Sequence, residues 1–198
     1  RVTFSVYSLF TGLRYPFFMI FVRRMTLLVF LTLSLVMLAA EDSARETLER
    51  ARAAASPAES IHILEAAVPS DGEWRFFYLM EITLQYSRLG DWSRALSVLS
   101  RIDAATVPAD HIDRYVYWLA LTREQTGDAA AAEKLYAERV FSGQARDPLL
   151  YLGYLRLAST GAQKIISLLD TALPDLRTTD PASWVVSRYL GGLAAVRE

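Results

Sequence analysis

"YSRLGDWSRALSVL", residues 86–99, holds a glycine-aspartate pair between two stretches of helical character. A glycine just past a helix's last turn takes the left-handed conformation that side chains resist. An aspartate beside it caps the start of a following helix. Gly90-Asp91 therefore reads as a helix–turn–helix joint, and the pair recurs as Gly127-Asp128. Leu79, Ile82 and Tyr86 precede the first joint, and Val116, Leu119 and Arg123 precede the second. Ala95 and Leu99 follow the first; Ala132 and Tyr136 follow the second. The small residue at the alanine position lets the second helix approach the first closely. Pro108 and Pro148 end the two units.

Further helix starts are written along the chain. Ser43 with Glu46, Ser56 with Glu59 and Ser70 with Glu73 fit the Ser-x-x-Glu capping box. Ser56-Pro57, Asp147-Pro148 and Asp180-Pro181 place a cap before a proline at the first helical position. No segment alternates with period two between hairpin turns, so no strand is expected. The fold class is all-α.

The large-x-x-Leu-Gly-x-x-Tyr, Ala, aromatic, Pro pattern at these joints resembles the tetratricopeptide repeat, a helix pair of about 34 residues. The likeness is good over 76–108, fair over 113–148 and weak over 147–174. In the last segment Gly161-Ala162 replaces the glycine-aspartate pair and Ile165-Ile166 stands where alanine is expected. Thr83 and Ala120 occupy the position of the motif's glycine, and Arg123 that of its tyrosine. The resemblance implies stacked antiparallel helix pairs, an α-solenoid, opened by an atypical pair over 43–68 and closed by a C-terminal capping helix over 181–196. An irregular helical bundle is the alternative.

That resemblance also assigns a concave face. Its lining would be Phe77, Met80, Leu84 and Ser87 in the first copy, Arg114, Tyr117, Leu121 and Glu124 in the second, and Tyr151 and Leu155 in the third. Phe77, Met80, Leu84, Tyr117, Leu121, Tyr151 and Leu155 are the candidate groove for an apolar helix or extended peptide of a partner protein. A second possibility is that "SWVVSRYLGGLAAV", residues 183–196, folds back and fills the groove with Trp184, Val185, Tyr189 and Leu190. A related reading is an apolar small molecule enclosed by the solenoid and that helix; self-assembly through the same helix is a third. The two-Lys, two-Asn clamp by which some members of the family hold chaperone C-termini is absent, since Met80, Leu84, Tyr117 and Leu121 stand at candidate positions.

Composition narrows the function further. The chain has 53% hydrophobic residues, which directs attention to a targeting segment. Arg23-Arg24, the apolar run Thr26–Leu38 and Ala39-Ala40 before Glu41-Asp42 describe a secretory signal peptide or, uncleaved, a membrane anchor. Thr26–Ala40 falls short of the about 20 residues a spanning helix needs. The chain opens on Arg1; a start at Met19 would make residues 1–18 a gene-model extension. The organisation expected is thus 1–40 as signal or anchor and 41–198 as the helical domain, in the bacterial cell envelope, periplasmic or held at the inner membrane.

All 22 acidic residues lie in 41–198, against 17 of the 21 basic ones (all but Arg1, Arg14, Arg23 and Arg24), a net charge of −5 that argues against nucleic acid. With no cysteine there is no disulfide, thiolate site or lipobox. His62 and His111 are the only histidines, too few for zinc, and each reads as structural: His111 as a helix cap between Asp110 and Asp113, His62 as partly buried. Glu133 and Glu138 read as solvated charges. No phosphate loop or nucleophile elbow is present, so neither catalysis nor a cofactor is expected.

Overall fold

The computed structural model describes residues 25, 29–32, 34, 39, 41–158 and 162–195. The expected signal or anchor, 1–40, lies outside them apart from those few positions. Among the described residues there is no strand, and no helix is long and apolar enough to cross a membrane. Two compact units are present, Arg1–Glu49 and Arg50–Glu198.

Helical residues 41–52 form α1. There follow α2 (Pro57–Glu65), α3 (Gly72–Arg88), α4 (Trp92–Leu99), α5 (Ile112–Gln125), α6 (Ala129–Phe141), α7 (Pro148–Leu157), α8 (Ala162–Ala172), α9 (Leu176–Thr179) and α10 (Pro181–Ala195). Two single 3₁₀ turns, Ala104–Thr106 and Ala109–His111, fill the α4–α5 connection.

The two glycine-aspartate joints are built alike. Gly90 has φ +72° and Gly127 φ +92°. At the first, the Gly90 N–H donates to Ser87 O and the Asp91 N–H to Tyr86 O, both at 3.0 Å. At the second, Gly127 and Asp128 donate to Glu124 O and Arg123 O at 3.0 and 2.9 Å. These are the paired bonds of a Schellman ending, which satisfy the carbonyls orphaned at a helix C-terminus. The same aspartates then turn their carboxylates to the next helix, accepting from Arg94 N at 3.1 Å and Ala131 N at 3.2 Å. With so short a joint, α3–α4 and α5–α6 are antiparallel hairpins. Ala95 and Ala132, both fully buried, sit at the positions that permit close approach.

Other starts follow the expected chemistry in part. Ser56 Oγ accepts from Glu59 N at 3.2 Å, while the Glu59 carboxylate reaches back to Ala55 N at 3.1 Å, one residue earlier than the capping box requires. Asp147 and Asp180 cap α7 and α10, accepting from Leu149 N and Ser183 N. Hydrogen bonds from Ser183 hold the Asp180 carboxyl below its ordinary range. Two boxes are corrected. Ser43 lies inside helical residues rather than ahead of them. Before α3 the cap position belongs to Asp71, extended at φ −153°, with no side-chain bond, so Ser70 and Glu73 are one residue out of step.

Helices pack mostly on their chain neighbours. In the second unit, α3 lies against α2 and α4, α5 against α4, α6 and α7, and α10 against α7, α8 and α9. The core of the C-terminal half joins Ala120, Tyr136, Val140, Leu150, Tyr151, Leu155, Ile165 and Leu169, with Trp184 and Leu190 of α10 packed on it. Tyr136 is fully buried, and a Cβ added at Gly153 would stand 2.4 Å from its Cζ. A ring so enclosed cannot give way. Gly153→Ala should therefore cost about 1–3 kcal/mol as overpacking, read by urea denaturation.

One carboxylate ties α5 to the α6–α7 region. Asp113 accepts from Arg139 Nε at 2.6 Å, Arg146 N at 2.5 Å and Asp147 N at 3.0 Å. Arg139 and Asp113 side chains are only 18% and 13% exposed. Asp113→Ala should lose about 1.5–3 kcal/mol, the range for hydrogen bonds to charged groups. The half-exposed Asp170–Arg188 pair supplies the control, because Asp170→Ala should fall within the about 0–1 kcal/mol of a surface pair. Equal losses in chemical denaturation would contradict this ranking.

Candidate functional site

The first three groove candidates lie on one face of α3. Phe77, Met80 and Leu84, all half-buried on α3, line one groove together with Arg52, Phe76, Glu81, His111, Arg114 and Trp118. Its volume is about 140 Å³. The helical spacing of α3 explains the convergence: residues 77, 80, 81 and 84 share one face. The apolar character of α3 all round is used on several sides, since Leu79 and Ile82 are fully buried while Phe77 and Met80 are not.

The α5 contribution matches the expected one at Arg114 and departs from it at Tyr117 and Leu121, whose place Trp118 takes. Trp118 and Arg114, four residues apart, line the groove. Tyr117 and Leu121 are half-buried and lie outside its lining. Tyr117 packs at 5.9 Å on Trp118 and at 6.3 Å on Tyr136. Burial raises the Tyr117 phenol above its ordinary range and raises that of Tyr136 further. Arg156, which pairs with Glu124, lies beside the buried Tyr136 hydroxyl. Tyr151 and Leu155 are each 1% exposed and belong to the core, not to any surface.

The C-terminal helix covers the α7 end of the expected groove, where Trp184 and Leu190 pack on the core that holds Tyr151 and Leu155, and leaves the α3 end uncovered. It lies against α7, α8 and α9 with Trp184 and Leu190 inward, and contributes nothing to the groove lining. Val185 and Tyr189 face outward, 57% and 66% exposed. A larger cavity, about 530 Å³, opens between the start of α3 and the end of α4, bounded by Phe76, Leu79, Ile102 and Pro108 and rimmed by Asp71, Arg101 and Asp103. No residue of α10 lines it.

His111 stands at the cap position of α5, as expected, but its ring serves as a wall of the groove. Its side chain makes no capping bond to α5, and its ring meets Phe77 edge-on at 5.0 Å and 89°. Its Nε2 is 3.7 Å from Asp110. His62, expected to be partly buried, is exposed beside buried Ile61. Among the described residues no group of three or more His, Asp or Glu is arranged to hold a metal.

Charge is distributed unevenly over the groove. Glu81, 9% exposed, accepts from Gln85 Nε2 at 2.7 Å and from Arg52 Nε at 3.2 Å. Gln85 in turn accepts from Arg88 at 3.2 Å. Arg114 is exposed and has no ion pair among the described residues. Arg114 was expected on this face; the signal that finds Trp118 and Glu81 is their place one turn from the expected anchors, and it does not say which face of α5 turns toward α3. Comparison with known proteins adds no neighbour: no family model, characterised protein or solved structure matches the chain.

Glu81 is framework and Arg114 is not. Glu81→Ala should cost about 1–3 kcal/mol by stranding the buried Gln85 amide, and Arg114→Ala should stay within about 0.5 kcal/mol of the parent. Thermal or urea denaturation of the two variants checks the separation.

Proposed function

We propose that this chain is a non-catalytic adaptor of the bacterial cell envelope, a short tetratricopeptide-like α-solenoid that binds a partner protein through the groove between α3 and α5. The observation that carries the reading is the meeting of Phe77, Met80 and Leu84 with Trp118 in a single surface groove. Large apolar and aromatic side chains, half-buried and gathered in one concavity, are the composition of a binding anchor. The two Schellman joints with their immediate aspartate caps support a repeated helix pair. The basic, apolar and small-residue succession before Glu41 supports export or anchoring. Affinity would come from a few desolvated contacts, without covalent chemistry.

The 530 Å³ cavity beside α3 favours a second reading, an apolar small molecule carried by the domain. Native mass spectrometry separates the two, because a lipid-sized adduct on purified protein points to the cavity.

Replacing Phe77 with p-benzoylphenylalanine and irradiating intact cells tests the adaptor reading. One discrete second protein, identified by mass spectrometry and lost when Met80→Asp is added, is the expected product. Crosslinks confined to the chain itself would refute it.

A further inference from the structure

The groove has a sign opposite to that of the domain around it. Residues 41–198 carry 22 acidic against 17 basic residues, a net −5. The lining holds Arg52 and Arg114 against the single carboxylate of Glu81. That carboxylate is already taken, one oxygen by the Gln85 amide and the other by Arg52. Arg114, exposed and without an ion pair among the described residues, brings a full positive charge to the rim from a different helix. A cation that is free beside aromatic rings is a place for an anion, and a guanidinium accepts a carboxylate through two parallel bonds.

Size limits the apolar part of the ligand. An apolar cavity of about 150 Å³ holds one benzene, and this groove measures about 140 Å³. It takes one phenyl- or isobutyl-sized side chain, not the continuous face of a helix or a lipid chain. The Phe77–His111 edge contact and the neighbouring Trp118 provide walls of the kind an aromatic ring packs on.

We propose that the groove recognises an acidic segment of the partner protein: one large apolar side chain seated among Phe77, Met80, Leu84 and Trp118, with a flanking aspartate or glutamate paired to Arg114. This rests on the adaptor reading above and adds the chemistry of its partner. Lysine or arginine flanking the anchor is rejected by the like charge of Arg114, although the domain as a whole would attract it. The electrostatic part acts over a short range and is screened by salt.

The experiment is a selection of the purified helical domain against two random peptide libraries, one displaying internal peptides with both ends blocked and one displaying free C-termini. Circular dichroism first confirms that Arg114→Glu leaves the fold intact, as its exposure requires. The expected result is enrichment, in the blocked library, of an aromatic or leucine flanked by Asp or Glu. The enriched peptide, amidated and labelled for anisotropy, should bind Arg114→Glu about tenfold more weakly, and raised salt should weaken its binding to the parent domain. Neutral or basic flanks, binding indifferent to Arg114→Glu, or no groove-dependent binder would each overturn the proposal. Enrichment only among free C-termini would overturn it too, assigning the anion to a chain end. Crosslinking at Phe77 judges the adaptor reading separately. A partner captured there with no acidic preference sinks this inference alone, and no partner sinks both.

Discussion

A helix that ends on a left-handed glycine and restarts on the next residue has no freedom in where its continuation lies. At Gly90-Asp91 and at Gly127-Asp128 the last carbonyls of one helix are satisfied by two backbone N–H groups, and the second of those residues is itself the cap of the following helix. Ending and starting share one aspartate. The chain must therefore reverse at once, and α4 and α6 lie back on α3 and α5. From that reversal follow the buried alanines at 95 and 132, which let the backbones close up, and the exposure of α3 to neighbours on several sides. The groove is a product of the same constraint, for it forms on the side of α3 that α4 does not cover.

Charged groups divide into those that hold the frame and those left over. Asp113 spends its carboxylate on Arg139 and two backbone amides, and Glu81 spends its own on Gln85 and Arg52. Both are largely buried, where an unpaired charge would cost several kilocalories per mole. The Asp170–Arg188 and Lys134–Glu138 pairs sit in solvent and contribute little. Arg114 belongs to neither group. It has no carboxylate partner among the described residues, which is why its role is read from the groove it borders.

The joints were legible because their chemistry is local. A positive φ, a cap hydrogen bond and a proline at the first helical turn are decided within a few residues, and Gly90, Asp91, Asp147 and Asp180 state them directly. Ser70 fails for an equally local reason: Asp71 is the neighbour that takes the extended conformation and so the cap position. The site was legible on α3, where the spacing of Phe77, Met80 and Leu84 fixes a face. On α5 only Arg114 was legible, because the rotation of one helix against another depends on side chains from both, and a rotation of about 100° per residue exchanges Tyr117 for Trp118. Tyr151 and Leu155 share the spacing of groove residues, yet lie in the same core on which α10 packs Trp184 and Leu190. Periodicity identifies an apolar face; it does not say which neighbour will close it. His111 shows the same limit, since its sequence neighbours suggest a cap while its ring neighbours, Phe76 and Phe77, come from another helix.

The joints also govern how the chain reaches this structure. Each hairpin brings together residues close in sequence, so closing it costs little loop entropy and does not wait for the rest of the domain. The bonds from Arg146 and Asp147 to Asp113 reach back across a whole helix pair and reward assembly only after α5 and α6 are in place. The contacts of the helical domain are thus of two kinds, local hairpin closures and a longer-range tie through Asp113. Each hairpin can close as soon as its own residues are available.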